Sequence, residues 1–241
     1  MLKRSIFTLC AIIGVLCCGA RSFIAHFPKL SEKNLLEFFN EWQQYSDSIA
    51  RKNVIDDPVL AKVIDYEISL IKYDVENDSV ADLPEYYVVP EKIQVDRYHI
   101  EVDTLNARAN NGFPEFLRPT AEGMYASYKV TPPLPEKGLY YTENLNKPLW
   151  EFLGGTSING EREEIDHDNV RLVERYIPLY YGHWGGYWWC YSLPLVESIA
   201  WFDNLIIVER RTSWHTGDLI WYVKGSEGFE RIDRPVSTWI E

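Results

Sequence analysis

The amino-acid sequence predicts an α+β fold in which N-terminal helices pack on a mostly antiparallel sheet with a C-terminal β-meander. Three observations support this prediction. Apolar residues recur at spacings of three and four between residues 31 and 51, β-branched and aromatic residues dominate after residue 84, and very short loops connect the apolar runs of the last third. Such loops join antiparallel strands, because parallel strands need long crossovers.

The N-terminal half contains two predicted helices. The first spans residues 31–51, where Ser31 is a good N-cap and the apolar residues lie on one face. The second begins at Asp57-Pro58, a capping residue followed by a proline in the first turn. Asn146 is predicted to cap a third, short helix, and Gly154-Gly155 end it.

The strands follow from β-branched and aromatic runs. The segment from residue 93 to 102 reads as a strand with a bulge near Arg97, and residues 138–142 read as another. The acidic run 161–169 is expected to be a solvated loop, and Val170–Pro178 is expected to be a strand. The meander then runs from Leu195 to Ile232. Within it, Leu219 and Trp221 point to one face of the sheet and Ile220 and Tyr222 to the other, so both faces are expected to be covered.

The first twenty residues carry the features of a secretory signal peptide. Lys3 and Arg4 form a short cationic start, an apolar run covers residues 6–16, and small residues precede a cleavage point after Ala20. This run is too short to span a bilayer comfortably. We therefore predict a signal peptide at residues 1–20 and export to the periplasm or cell envelope.

Cleavage at this point leaves residues 21–241, which we predict to form a single α+β domain with a sub-boundary near residues 131–136, where prolines cluster. Cys18 provides an alternative to simple cleavage. In bacterial lipoproteins a cysteine at the end of the signal receives a lipid anchor, and Val15-Leu16-Cys17 before Cys18 fits that pattern in part. Both routes of export remain open at this point.

Charge limits the partners of the domain. The net charge of the chain is −12, and it is −14 without the signal peptide, which holds two of the 24 cationic residues and none of the 36 acidic ones. Such a surface repels phosphate backbones, so we expect no nucleic-acid partner. We expect an envelope ligand or protein as partner, and membrane contact only through a lipid anchor at Cys18. We found no nucleotide, dinucleotide or metalloprotease motif, so no cofactor is expected.

The predicted domain has a single cysteine. Cys10, Cys17 and Cys18 lie in the signal segment, and only Cys190 lies beyond it. The domain therefore cannot be held together by internal disulfides, and its stability must come from apolar burial. We expect Cys190, which is flanked by aromatic residues, to be a small buried hydrophobe and not a nucleophile.

The aromatic segment 180–191 is the main candidate for a binding site. Seven of the nine tryptophans lie between Trp184 and Trp239, and aromatic rings of this kind stack on sugars or apolar ligands. Alternatively, most of these rings fill the core of a covered sheet, and this interpretation is favoured for the segment as a whole. The candidate ligand-binding residues are Tyr181, His183, Trp184, Tyr187 and His215.

Histidines and carboxylates are the remaining candidates for chemistry. The run Asp166-His167-Asp168 holds metal-ligand types, but neighbours on an extended chain point in opposite directions, so we predict no metal site. His183 and His215 could meet Asp203 or Asp218 in an acid–base or metal site, although their spacing does not require it. No catalytic residue is assigned.

The C-terminal third resembles a known group of sequences. Gly182–Trp188, together with Val208–Tyr222 and the terminal Ser-Thr-Trp-Ile-Glu at 237–241, is similar to the C-terminal region of exported proteins from Bacteroidota-type bacteria. The likeness covers about the last 70 residues, and the chain departs from it at Arg210–Trp214. The resemblance implies export and a mixed helix–sheet domain, and it implies no activity.

Together these features predict an exported envelope protein that binds a ligand or partner through its aromatic loop and is not an enzyme. One alternative is a hydrolase with carboxylate or histidine residues near that loop, since carboxylate pairs of the glycosidase type leave no short motif. The other is a protein-binding factor of the immunity type, for which an acidic surface is suitable.

The N-terminus of the purified exported chain tests the signal-peptide prediction. We expect intact-mass and peptide mass spectrometry to place Arg21 first, because the small residues before it suit signal peptidase. An N-terminal acylated Cys18 would assign the lipoprotein route instead. A cytosolic product that still begins at Met1 would contradict export.

Overall fold

The structure, a computed structural model, has the α+β organisation predicted from the sequence. It describes residues 27, 29–71, 84–105, 124–141, 143–155, 157–158, 161–162, 164–182, 187–213, 215–232, 235 and 237–240. The helices in these ranges are α1 (Glu32–Ala50), α2 (Pro58–Ser69), α3 (Glu143–Leu153) and α4 (His167–Val173). The predicted signal peptide and Cys18 lie outside the described residues.

Thirteen strands lie in the same ranges. They are β1 (Tyr87–Pro90), β2 (Ile93–Tyr98), β3 (Met124–Val130), β4 (Gly138–Tyr141), β5 (Ser157–Ile158), β6 (Glu161–Arg162), β7 (Tyr180–Gly182), β8 (Tyr187–Trp189), β9 (Leu195–Trp201), β10 (Leu205–Arg211), β11 (Thr216–Gly225), β12 (Gly228–Arg231) and β13 (Ser237–Ile240). None of the helices described is long and apolar enough to cross a membrane.

The central sheet has the order β12-β11-β10-β9-β2-β3, and β13 pairs with β11 beside β12. All of its pairings are antiparallel except that of β2 with β9. The run from β9 to β12 is the predicted meander. The predicted bulge is also present, because the β2–β3 register shifts between Arg97 and Tyr98.

Side chains of helix α1 hydrogen-bond to the edge of a second, smaller sheet. Strands β1 and β4 form a parallel pair, and the outer edge of β4 faces α1. The indole Nε1 of Trp42 donates to the Tyr140 carbonyl at 2.8 Å, and the Tyr140 N–H donates to the Ser46 hydroxyl at 2.9 Å. Both backbone groups of a buried strand residue are thus satisfied by helix side chains, as burial requires.

Helix α2 covers one face of the central sheet. Its N-cap is Asp57, whose carboxylate accepts hydrogen bonds from the N–H groups of Val59 and Leu60 at 2.9 and 3.1 Å, as the sequence predicted. The apolar face of α2, with Ile64 and Ile68, packs on β9, β10 and β11.

Apolar side chains form three cores. The first lies among α1, α3, α4, β1 and β4, and the second lies between α2 and the central sheet. The third lies on the opposite face of that sheet. The alternation predicted for β11 is confirmed, since Ile220 and Tyr222 belong to the second core and Leu219 and Trp221 to the third.

Three local predictions are wrong. Asn146 was expected to cap the third helix, but α3 begins at Glu143, so Asn146 lies inside the helix. Val170–Pro178 was expected to be a strand, and residues 161–169 a loop, but α4 begins at His167 and ends at Val173. The carboxylate of Asp166 accepts hydrogen bonds from the N–H groups of Asp168 and Asn169 at 3.1 and 3.0 Å, so it acts as an N-cap. This cap and the contact of Val173 with the first core outweigh the β-propensity of the segment.

The Trp42 hydrogen bond should contribute measurably to stability. We expect Trp42→Phe to lower the free energy of unfolding by about 2–4 kcal/mol, because it leaves the Tyr140 carbonyl buried without its donor and opens a cavity in the core. Urea denaturation measures this loss. Leu36→Ala on the exposed side of α1 is the control, and an equal effect of the two variants would contradict the assignment.

Candidate functional site

The hairpin β7–β8 gives the aromatic segment two different faces. Its register pairs Tyr180 with Trp189, Tyr181 with Trp188 and Gly182 with Tyr187. Since successive side chains of a strand point to opposite sides, Tyr181 and Trp188 share one face and Tyr180 and Trp189 share the other. The segment is therefore part core and part surface.

The inner face of the hairpin is anchored on a pair of glycines. Trp188 is buried and donates its indole N–H to the Gly154 carbonyl at 2.7 Å, and the Tyr181 hydroxyl donates to the Gly155 carbonyl at 2.7 Å. Both glycines have positive φ angles of 71° and 77°. A Cβ on Gly155 would lie 2.9 Å from the Tyr181 ring, so the close approach depends on glycine.

Two rings on the outer face of the hairpin begin a row of half-buried rings that continues beyond it. Tyr180 meets Trp189 with ring centroids 5.1 Å apart, and Trp189 meets Tyr191 at 5.5 Å. Tyr191 in turn meets Tyr141 of β4 at 4.6 Å. Neighbouring rings are inclined by 54–66°, the range of tilted and edge-to-face contacts. We call these four residues the outer ring row.

The described residues among the five predicted ligand binders do not share one surface. Tyr181 lies on the inner face of the hairpin, and Tyr187 lies in β8 opposite Gly182. His183 and Trp184 lie outside the described residues. His215 lies in the turn between β10 and β11 of the central sheet, which is a different sheet from the hairpin. The ligand-binding roles of all five residues stay predictions.

The two aspartates considered for an acid–base or metal site lie at opposite ends of the β10–β11 pair. Asp203 precedes β10 and accepts hydrogen bonds from Arg97 at 2.7 Å and His99 at 3.3 Å, taking the ring as a donor. The pKa of the Asp203 carboxyl is lowered, most strongly by the hydrogen bond from Arg97 and less strongly by the one from His99. Asp218 lies near the other end of the β10–β11 pair, bound to Arg210. Within the described ranges, no group of three potential ligands could hold a metal ion.

Cys190 follows the hairpin and is fully buried in the first core, as predicted. Burial raises the pKa of its thiol far above the ordinary value, because a thiolate would be desolvated there. A thiol in this state is a poor nucleophile. Cys190 therefore serves as a packing residue of the core.

The sequence analysis missed a buried ionic cluster centred on Glu67 of α2. The Glu67 side chain is only 1% exposed, and its Oε1 accepts hydrogen bonds from the Tyr222 hydroxyl at 2.6 Å and the Arg231 Nε at 2.8 Å. Its Oε2 accepts from Arg210 at 3.0 Å. Arg210 also forms a two-point contact with Asp218, at 2.8 and 2.9 Å. We call these five residues the Glu67 cluster.

Formal charges balance within the Glu67 cluster, because two carboxylates face two guanidinium groups. Burial and the hydrogen bond to Glu67 raise the pKa of the Tyr222 hydroxyl, so it stays protonated and acts as a donor. Burial opposes the charge of Arg210, but its contacts with Asp218 and Glu67 outweigh burial and raise its pKa. One feature of the sequence could have indicated this cluster: Glu67 lies within the apolar face of α2, where a charged residue needs buried partners.

Comparison with known proteins gives no precedent for either arrangement, since no family model, no curated protein and no solved structure matches the chain. What the protein does must therefore follow from its own side chains. The outer ring row is a partly exposed apolar surface with polar ring substituents. The Glu67 cluster is a hydrogen-bonded ionic assembly that joins α2 to three strands of the sheet, so it is suited to holding these elements together.

Removing the charge of Glu67 should destabilise the fold. We expect Glu67→Gln to lower the free energy of unfolding by about 3–5 kcal/mol, because it leaves two buried guanidinium groups facing one carboxylate. Urea denaturation measures the change. Asp65→Asn, on the exposed side of the same helix, is the matched control and should change stability by less than about 0.5 kcal/mol. A loss as small as that of the control would show that the cluster is not needed.

Proposed function

We propose that the protein is an exported, non-catalytic binding module that holds a neutral oligosaccharide against the outer ring row. The observation that carries this proposal is a continuous series of four half-buried rings. The series begins with Tyr180 and Trp189 on the outer face of the hairpin and continues through Tyr191 to Tyr141 of β4, while the inner face of the hairpin is fixed in the core. Rings held in this way lose little conformational freedom when a ligand binds, and this favours affinity.

The chemistry of the row suits a sugar chain. Aromatic rings offer flat apolar area, while tyrosine hydroxyl and indole N–H groups hydrogen-bond to hydroxyls. The inclination of neighbouring rings, 54–66°, means that the row has no single plane. The row is therefore better suited to an oligosaccharide whose successive sugar units are rotated relative to one another. It is less suited to the flat surface of a crystalline polysaccharide. The net charge of −12 disfavours polyanionic glycans, so we propose a neutral one.

Two further features support a binding role in the envelope. The cationic and apolar pattern of residues 1–20 favours export, and envelope glycans are available there. In addition, the buried carboxylates of Glu67 and Asp218 are both engaged by arginines, as in a structural assembly. We therefore propose recognition without a chemical step.

Titration with cellohexaose, maltohexaose and chitohexaose tests the proposal. We expect one of these probes to bind saturably and to change tryptophan fluorescence. Trp189→Ala should weaken that binding at least tenfold, which corresponds to about 1.4 kcal/mol, because Trp189 contacts two other rings of the row.

Tyr125→Ala is the matched control, since Tyr125 is a tyrosine 70% exposed on β3 of the central sheet. It should leave binding unchanged. Circular dichroism and urea denaturation establish that both variants are folded. The proposal fails if none of the three probes binds, or if the two variants bind the same probe equally well.

A further inference from the structure

A cleft of about 430 Å3 lies between α2 and the hairpin β11–β12, next to the Glu67 cluster. This volume is in the range of small-molecule sites. Val59 and Val63 of α2 and Phe229 of β12 supply its apolar lining. The elements that line the cleft contribute no residue to the outer ring row, so the cleft is a separate candidate site.

Arg231 is fixed at the edge of this cleft. Its Nε donates to the buried Glu67 carboxylate at 2.8 Å, and its guanidinium carbon lies 5.3 Å from the centre of the Tyr66 ring. Within the described residues the Arg231 side chain makes no other hydrogen bond, so its Nη groups remain donors for a ligand. A guanidinium oriented by a buried carboxylate and an aromatic face is pre-organised for a planar anion.

A second cation lines the same cleft. Lys62 lies one helical turn before Tyr66 and is exposed to solvent. The acidic group of the lining, Glu227, lies in the turn between β11 and β12. The lining of the cleft thus combines a guanidinium and an ammonium with apolar side chains and a single carboxylate.

We propose that this cleft binds a small monocarboxylate with an apolar body. The carboxylate lies against Arg231 and Lys62. The apolar body lies against the two valines and Phe229. This ligand class follows from charge complementarity together with the apolar lining, because a simple inorganic anion would leave that lining in water.

The probe is 4-phenylbutyrate, and the comparison ligands are 4-phenylbutyramide and inorganic phosphate. In an NMR titration of the full mature chain we expect saturable shifts near Val63 and Phe229 with the carboxylate. The neutral amide should bind at least tenfold more weakly, because it lacks the charge that the two cations recognise. Phosphate should not displace the carboxylate at equal concentration.

Lys62→Met removes one cation without touching the Glu67 cluster, and we expect it to weaken 4-phenylbutyrate binding about tenfold. Lys33→Met on the exposed side of α1 is the matched control and should have no effect. Arg231→Lys keeps a charge beside Glu67 but loses the planar guanidinium, and it should weaken binding by a similar factor.

Three outcomes would overturn the proposal: no saturable binding of 4-phenylbutyrate, equal binding of acid and amide, or unchanged binding by Lys62→Met. Effective competition by phosphate would show that the apolar body is not recognised and would also overturn it. Trp189→Ala should leave this site intact, so its result is separate from that of the oligosaccharide proposal.

Discussion

The buried carboxylate of Glu67 determines how α2 meets the meander. Burying one charge is costly unless opposite charges and hydrogen bonds satisfy it, and here the partners come from three strands, β10, β11 and β12. A helix that carries this carboxylate can dock in few other positions on the sheet, because any other position would leave the charge or its arginines unpaired. The same contacts orient Arg231 toward the cleft, so the site proposed there depends on the docking of the helix.

Buried strand edges that have no neighbouring strand are satisfied by groups from other elements. The parallel pair β1–β4 shows this on both sides. Trp42 and Ser46 bind the backbone of Tyr140, while on the other edge the N–H of Val88 donates to the Ser192 hydroxyl at 3.0 Å and its carbonyl accepts from the Ser192 N–H at 2.9 Å. Three side-chain hydrogen bonds and one from a backbone N–H thus take the place of further strands.

Local signals predicted much of the fold. Capping residues located α1 and α2, and the alternation of β11 assigned its two faces correctly, because both depend on neighbours in sequence. The pairing of β2 with β9 and the Glu67 cluster join residues far apart in the chain, and no local pattern encodes such contacts. The strand predicted at Val170–Pro178 failed for a related reason, since an Asp166 cap and a core contact outweighed propensity.

The aromatic segment shows why the candidate site could be located in the sequence but not resolved into its parts. Whether a ring is core or surface depends on strand register, and a shift of one residue would exchange Tyr180 with Tyr181. Here the register is fixed by the close approach of Tyr181 and Trp188 to the carbonyls of two glycines. The aromatic residues of the segment therefore divide between the core and the surface, and the inner rings hold the hairpin so that the outer rings keep a defined geometry.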